Sequence, residues 1–200
     1  MEDRVRIREM QRSDITPVAE VLGRAYATNP IILATYRGKQ MVARRIQVNF
    51  EGLFRYGSGR SFIAELDSRV LGGFLMAEWP ACQAMSLKVM LPALRTVGGL
   101  GPLKRGMEWQ RACKKHDPRE PHWHLKMIGV DPDFQGKGIG RRMMDIYCGI
   151  IDSDKLEAYH ETDRPENIPF YERFGFKVVQ EDTVIGEKQW YMLRPAKLDK

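Results

Sequence analysis

The chain has 200 residues, 43% hydrophobic and 29% charged, with a formal net charge of +6, which fits one soluble domain with a continuous core. No apolar run approaches the roughly 18 residues needed to cross a bilayer, and the start MEDRVRIREM lacks the apolar segment of a secretion signal. Cys82, Cys113 and Cys148 are odd in number and far apart, without a CxxC pair, so a disulfide or zinc framework is not expected and the reading is a cytoplasmic protein. The positive excess is spread along the chain rather than gathered in a tail, which argues against nucleic acid and suits a phosphate-rich small ligand.

In chain order, Arg4–Glu9 alternates and reads as a strand. Ser13 is placed to cap a helix in which Ile15, Val18, Ala19 and Leu22 recur at helical spacing. A second helix covers about Met41–Tyr56. Ser61–Leu66 and Val70–Trp79 are strands joined at Asp67-Ser68, a hairpin signal. Leu87, Met90, Leu91, Leu94 and Val97 form a helical stripe, Gly98 to Pro102 breaks it, and a basic helix follows to Lys115. Residues 80–121 are thus expected to be a helical insertion between strands. His122–Val130 reads as a strand, Gly138–Ile151 as a helix and Leu156–Glu161 as a strand. A short helix near Ile168–Phe174 stops at Gly175, and strands near Lys177–Ile185 and Lys188–Arg194 close the chain. The expectation is an α+β fold with a mixed, mostly antiparallel sheet of about 6–7 strands.

The segment Gly136-Lys137-Gly138-Ile139-Gly140 follows a strand and opens a helix, which exposes backbone N–H groups at the positive end of a helix dipole. Three anions compete for it. A P-loop needs GxxxxGK[ST], but Asp131 stands where its first glycine belongs and Gly138 follows Lys137. A dinucleotide fold would welcome Glu161 as a ribose ligand, yet Arg141 replaces the third glycine and only one strand–helix–strand unit is present. The third candidate is coenzyme A.

Gln135-Gly136-Lys137-Gly138-Ile139-Gly140 resembles the Q/R-x-x-G-x-G/A pyrophosphate loop of the GCN5-related N-acetyltransferase (GNAT) superfamily. The resemblance extends from His122-Trp123-His124-Leu125 through Ile128-Gly129-Val130-Asp131-Pro132 to Asn167 and Phe170-Tyr171-Glu172-Arg173-Phe174-Gly175-Phe176. It is similar especially to the small-molecule branch that includes puromycin N-acetyltransferase. The resemblance implies a splayed parallel pair formed by strands 122–130 and 156–161, with residues 122–176 as the acyl-CoA-binding core. It implies that the backbone of Ile128 and Val130 holds the pantetheine arm, as an added strand would. The amides of Gly136, Lys137, Gly138, Ile139 and Gly140 would take the pyrophosphate with Gln135, aided by the charge of Lys137, Arg141 and Arg142. Asn167 and Phe170 would contact the cofactor. Tyr171 occupies the position of the general acid that protonates the departing thiolate, and an N–H near Ile128 or Gly129 would stabilise the oxyanion. Gly129 is also read as easing a bulge there.

The base is less defined. His122 and His124 alternate onto one face, and Glu78 and Glu161 are carboxylates near strand ends; each could accept a proton, as could an ordered water. His-x-His invites a metal, but no third ligand has motif spacing, so none is expected. His160 departs from the leucine common in the superfamily at that position.

The expected function is acetyl-CoA-dependent transfer to a primary amine of a small molecule, by direct attack within a single domain of residues 1–200. Acceptor identity would lie in Asn29–Arg37 and in the 80–121 insertion. Transfer to protein N-termini or lysines, and a non-catalytic acyl-CoA-binding module, are the alternatives. No nucleic-acid or membrane partner is expected, and a homodimer is compatible with this reading.

Overall fold

The computed structural model describes residues 4–37, 42–84, 87–89, 94 and 98–197. Its seven strands are β1 (Arg6–Glu9), β2 (Arg60–Leu66), β3 (Arg69–Glu78), β4 (His122–Val130), β5 (Glu157–Thr162), β6 (Lys177–Val184) and β7 (Glu187–Arg194). They form one mixed sheet in the order β1-β2-β3-β4-β5-β7-β6, in which β4 and β5 run parallel and every other pair antiparallel. This is the sheet the alternating segments imply. The β2–β3 turn follows from its two residues: Asp67 and Ser68 both have positive φ, 48° and 65°, the conformation that matches the twist of a two-residue hairpin. The β6–β7 turn uses Ile185 and Gly186, one residue earlier than the sequence suggests.

The helices are α1 (Ile15–Ala25), α2 (Pro30–Tyr36), α3 (Val42–Tyr56), α4 (Leu100–His116), α5 (Ile139–Asp154) and α6 (Ile168–Glu172). One sheet face packs on α5 and α6 through Phe74, Trp123, Leu125, Met143, Tyr147 and Phe176. On the other face, α1 and α3 cover Ile63, Leu75 and Met127. Helix α4 continues that second face towards β6 and β7, with His116 stacked on Tyr191 at 4.1 Å.

One local expectation changes. Ser13 is not the cap of α1: a 3₁₀ turn, Arg12–Asp14, leads in, and Asp14 accepts from the Gln11 N–H at 2.7 Å while pairing with Arg8 at 2.6 Å. The segment Asn29–Arg37 holds a helix: the Asn29 side chain accepts from the Ile32 N–H and Pro30 opens α2, an Asn-Pro start signal. Of the apolar stripe expected over 87–97, Met90, Leu91 and Val97 lie outside the described residues, and Leu87 and Leu94 are exposed.

Candidate active site

Strands β4 and β5 pair only through His122↔Glu157, Trp123↔Ala158 and His124↔Tyr159. Beyond these positions the two strands part. The bulge lies at Lys126: Leu75 of β3 faces Met127 and Met76 faces Leu125, so Lys126 has no opposite residue and β4 bends there. Gly129, expected to ease a bulge, serves a different purpose. A Cβ at that position would lie 2.6 Å from Leu22 Cδ2, so glycine is what lets α1 approach β4.

At the far end of β4, Asp131 is 1% exposed, accepts from the Asp133 N–H, and pairs with Arg24 at 2.8 Å and Arg69 at 3.4 Å. Burial alone would raise its pKa, but Arg24 and these contacts lower it. It fixes the exit into the glycine segment. Gly136 and Gly138 adopt φ of +72° and +77°, and Gly138 is the N-cap of the 16-residue α5. Both conformations favour glycine. The first-turn amides of such a helix have no carbonyl within the helix to bond, and they face outwards with the positive end of its dipole. Around this loop the side chains are engaged at its base: Gln135 Nε2 donates to Val130 O at 3.1 Å, and Lys137 Nζ donates to Asp133 O while lying 4.6 Å from the Phe134 ring centre. Arg141 is exposed at the start of α5. An anion here would therefore meet backbone first.

Tyr171 is 7% exposed and lies on the α5 face of the sheet, its ring 3.9 Å from His160 and 5.2 Å from Phe170. Burial pushes the phenol well above its ordinary pKa, so it is a proton donor at neutral pH. Asn167 stands at the start of α6 without a side-chain capping bond. Across the parting of the strands, the Tyr26 hydroxyl donates to Ile128 O at 3.0 Å and accepts from Ile128 N at 3.3 Å. Tyr26 closes α1 and was not singled out by the sequence; only its packing against β4 reveals it.

Glu161 lies on the opposite face from Tyr171, two residues beyond the last β4–β5 pair. Its Oε2 is 2.9 Å from His124 Nε2, and its Oε1 is buried without a hydrogen-bond partner. Burial would raise this carboxyl, but the charge and hydrogen bond of His124 lower it on balance. His124 Nε2 faces Glu161, and its Nδ1 lies 3.4 Å from Asp117 on the side away from the parting. His122 is wholly buried, with Nδ1–H donating to Glu120 O at 2.7 Å and Nε2 2.9 Å from Asp117 Oδ1. Glu78 is exposed and pairs in register with Trp123, which places it beside the closed end of the parallel pair. The structure thus joins Ile128 to Tyr26 and Glu161 to His124, sets Tyr171 against His160 and Phe170, and leaves Glu78 at the closed end of the parallel pair.

Residues 105–178 match the acetyltransferase (GNAT) domain model. Over 80 residues, 38% of this chain, the protein is 34% identical to mycothiol acetyltransferase from Propionibacterium freudenreichii subsp. shermanii, and the match spans about a quarter of that relative's length. The fold is similar to a structure from Corynebacterium glutamicum described as histone acetyltransferase HPA2 and related acetyltransferase, with a TM-score of 0.71 and 16% identity over 98% of this chain and 99% of that one. It is also similar to Drosophila melanogaster polyamine N-acetyltransferase, described as forming N-acetylagmatine, with a TM-score of 0.66 and 12% identity over 94% of this chain and 98% of that one. Residues 105–178 thus match the GNAT acetyltransferase domain, and within them lie the opening between β4 and β5 and the glycine-capped α5.

Proposed function

We propose that the protein, acting as one domain, transfers an acetyl group from acetyl-CoA to a primary amine of a small molecule. The observation that carries the reading is the parting of β4 from β5 beyond His124 and Tyr159, with the α5 amides at its end. The residues fit an acyl-CoA: Gly136 and Gly138 offer backbone to a pyrophosphate, and the Ile128 N–H and carbonyl are held by one hydroxyl that can be exchanged. Acetyl-CoA would supply a thioester carbonyl as the electrophile.

In this reading Ile128 N–H, once released by Tyr26, stabilises the developing oxyanion. Glu161 Oε1, buried and without a partner, takes the proton of the incoming amine, directly or through water. Tyr171, which burial keeps protonated, donates its proton to the departing sulfur. The small-amine preference is supported by α2 and α4, which meet where Arg105 Nε donates to Thr35 O at 2.8 Å and which border the second face of the sheet. Asp163, just past β5, binds Asn29 and the Ile31 N–H at 2.7 and 2.9 Å and ties α2 to the same strand. A panel of primary amines with acetyl-CoA, read by release of free thiol, tests the assignment. Release with a small amine supports it, release only with peptide substrates transfers it to protein acceptors, and binding of acetyl-CoA without any release leaves a non-catalytic binding module.

A further inference from the structure

Outside that reaction, four buried side chains converge on one point. Cys82 sits in the 3₁₀ turn Ala81–Gln83, Asp117 ends α4, and His122 and His124 begin β4. They are 5%, 7%, 0% and 3% exposed. One donor atom from each lies within 4.8 Å of the others. The measured separations are 2.9 Å from His122 Nε2 to Asp117 Oδ1, 3.4 Å from His124 Nδ1 to Asp117 Oδ2, and 3.8 and 3.9 Å from Cys82 Sγ to His122 Nε2 and Asp117 Oδ2. Ligands around a tetrahedral zinc at ordinary bond lengths stand about 3.3–3.6 Å apart, so small shifts bring these atoms onto its corners. From this convergence we infer that Cys82, Asp117, His122 and His124 form a closed, structural binding site for a divalent transition metal of the zinc type.

Two independent features point to a ligand. Asp117 Oδ1 and His124 Nδ1, both aimed into the cluster, are buried without a hydrogen-bond partner, because the nearby contacts are not aligned for one. Leaving such atoms unmatched costs free energy, and they call for a partner. Each imidazole is also oriented as a metal ligand usually is, with its second nitrogen on an acceptor: His122 Nδ1 on the Glu120 carbonyl at 2.7 Å, and His124 Nε2 on the Glu161 carboxylate at 2.9 Å. A thiolate, a carboxylate and two neutral imidazoles neutralise a dication, whereas without a metal one carboxylate must serve two imidazoles. Four protein ligands leave no open position, so the site is structural rather than catalytic. Its effect on the fold is specific. Cys82 and Asp117 stand near the two ends of the 80–121 insertion, and the metal would fasten both to β4 while holding His124 against Glu161. The lack of motif spacing that argued against a metal reflects the length of chain, α4 included, between Cys82 and Asp117.

The site is tested on chelator-stripped protein titrated with Co²⁺ alone. One equivalent should bind with tetrahedral visible bands and a thiolate-to-cobalt charge-transfer band, and Zn²⁺ should displace it. Zn²⁺ alone should also raise the melting temperature of the wild-type protein, since the ion binds the folded state. Cys82→Ser should abolish the charge-transfer band. Asp117→Asn should weaken Co²⁺ binding by at least the roughly 10–100-fold seen when a mere ligand support is lost. Cys113→Ser should keep the band, which separates the cluster from the other thiols. No cobalt band and no thermal shift in the wild type would overturn the inference, as would a charge-transfer band that survives in Cys82→Ser. None of these readouts depends on acetyl transfer.

Discussion

The Tyr26 hydroxyl occupies both backbone polar groups of Ile128, donating to the carbonyl at 3.0 Å and accepting from the N–H at 3.3 Å. An acyl donor lying between β4 and β5 would need those same groups. Burial holds the phenol protonated, with its pKa raised to about 12, so the two compete. Tyr26→Phe removes the hydroxyl and keeps the ring that meets Phe50 edge-on at 5.3 Å. A net hydrogen bond contributes about 0.5–1.5 kcal/mol, so acetyl-CoA should bind Tyr26→Phe roughly 2- to 10-fold more tightly by calorimetry. Weaker binding would mean that the hydroxyl contacts the donor instead.

Tyr171 is surrounded by rings, with His160 at 3.9 Å and Phe176 at 6.3 Å, so Tyr171→Phe should preserve packing. Acetyl-CoA affinity should stay within about twofold, while thiol release under saturating substrate should fall by about 10²–10⁴, the usual contribution of a positioned acid. An unchanged turnover number would remove Tyr171 from the acid role.

Gly138 carries φ of +77° at the cap of α5. Gly138→Val places a branched side chain in a conformation it disfavours, costing on the order of 1–2 kcal/mol, and covers the first-turn amides. A folded variant, checked by circular dichroism, should lose most of its acetyl-CoA affinity. Wild-type affinity would show that the pyrophosphate is held elsewhere.

His160 is 1% exposed, stacked on Tyr171, and has a buried Nε2 without a partner. Burial, only partly offset by Glu161 and reinforced by the charge of His124, lowers its pKa from 6.5 to about 4. The sign follows from which state binds the proton. Above pH 6.5 neither folded nor unfolded chain is protonated at this position, and the residue costs nothing. As pH falls towards about 4, the unfolded chain takes up a proton that the folded one resists, so stability declines by on the order of 3 kcal/mol. His160→Leu should flatten that decline. Urea midpoints of both proteins, measured near pH 7 and near pH 4.5, should diverge only at the acid end, in favour of leucine. Parallel losses would show that His160 accepts its proton in the folded state.

Local pattern made most of the scaffold legible. The alternation in Arg4–Glu9 and the glycines before α5 act within a few residues, so they survive the absence of any tertiary information. Asn29-Pro30 is an equally local helix start. The bulge attributed to Gly129 belongs to Lys126 because strand register is a property of two strands, not one.

By itself, the sequence determined the order of the strands, the hairpin at Asp67-Ser68, and a glycine loop that opens α5. These depend on periodicity and on conformations open to glycine. Only the tertiary structure decided which side chains share a space. Glu161 and Tyr171 lie ten residues apart yet on opposite faces of the sheet; Tyr26 reaches Ile128 across 102 residues; and Cys82 meets Asp117 and the two histidines at the ends of a long insertion. Such meetings arise when strands pair and helices dock to bury apolar area, and no short stretch of chain encodes them.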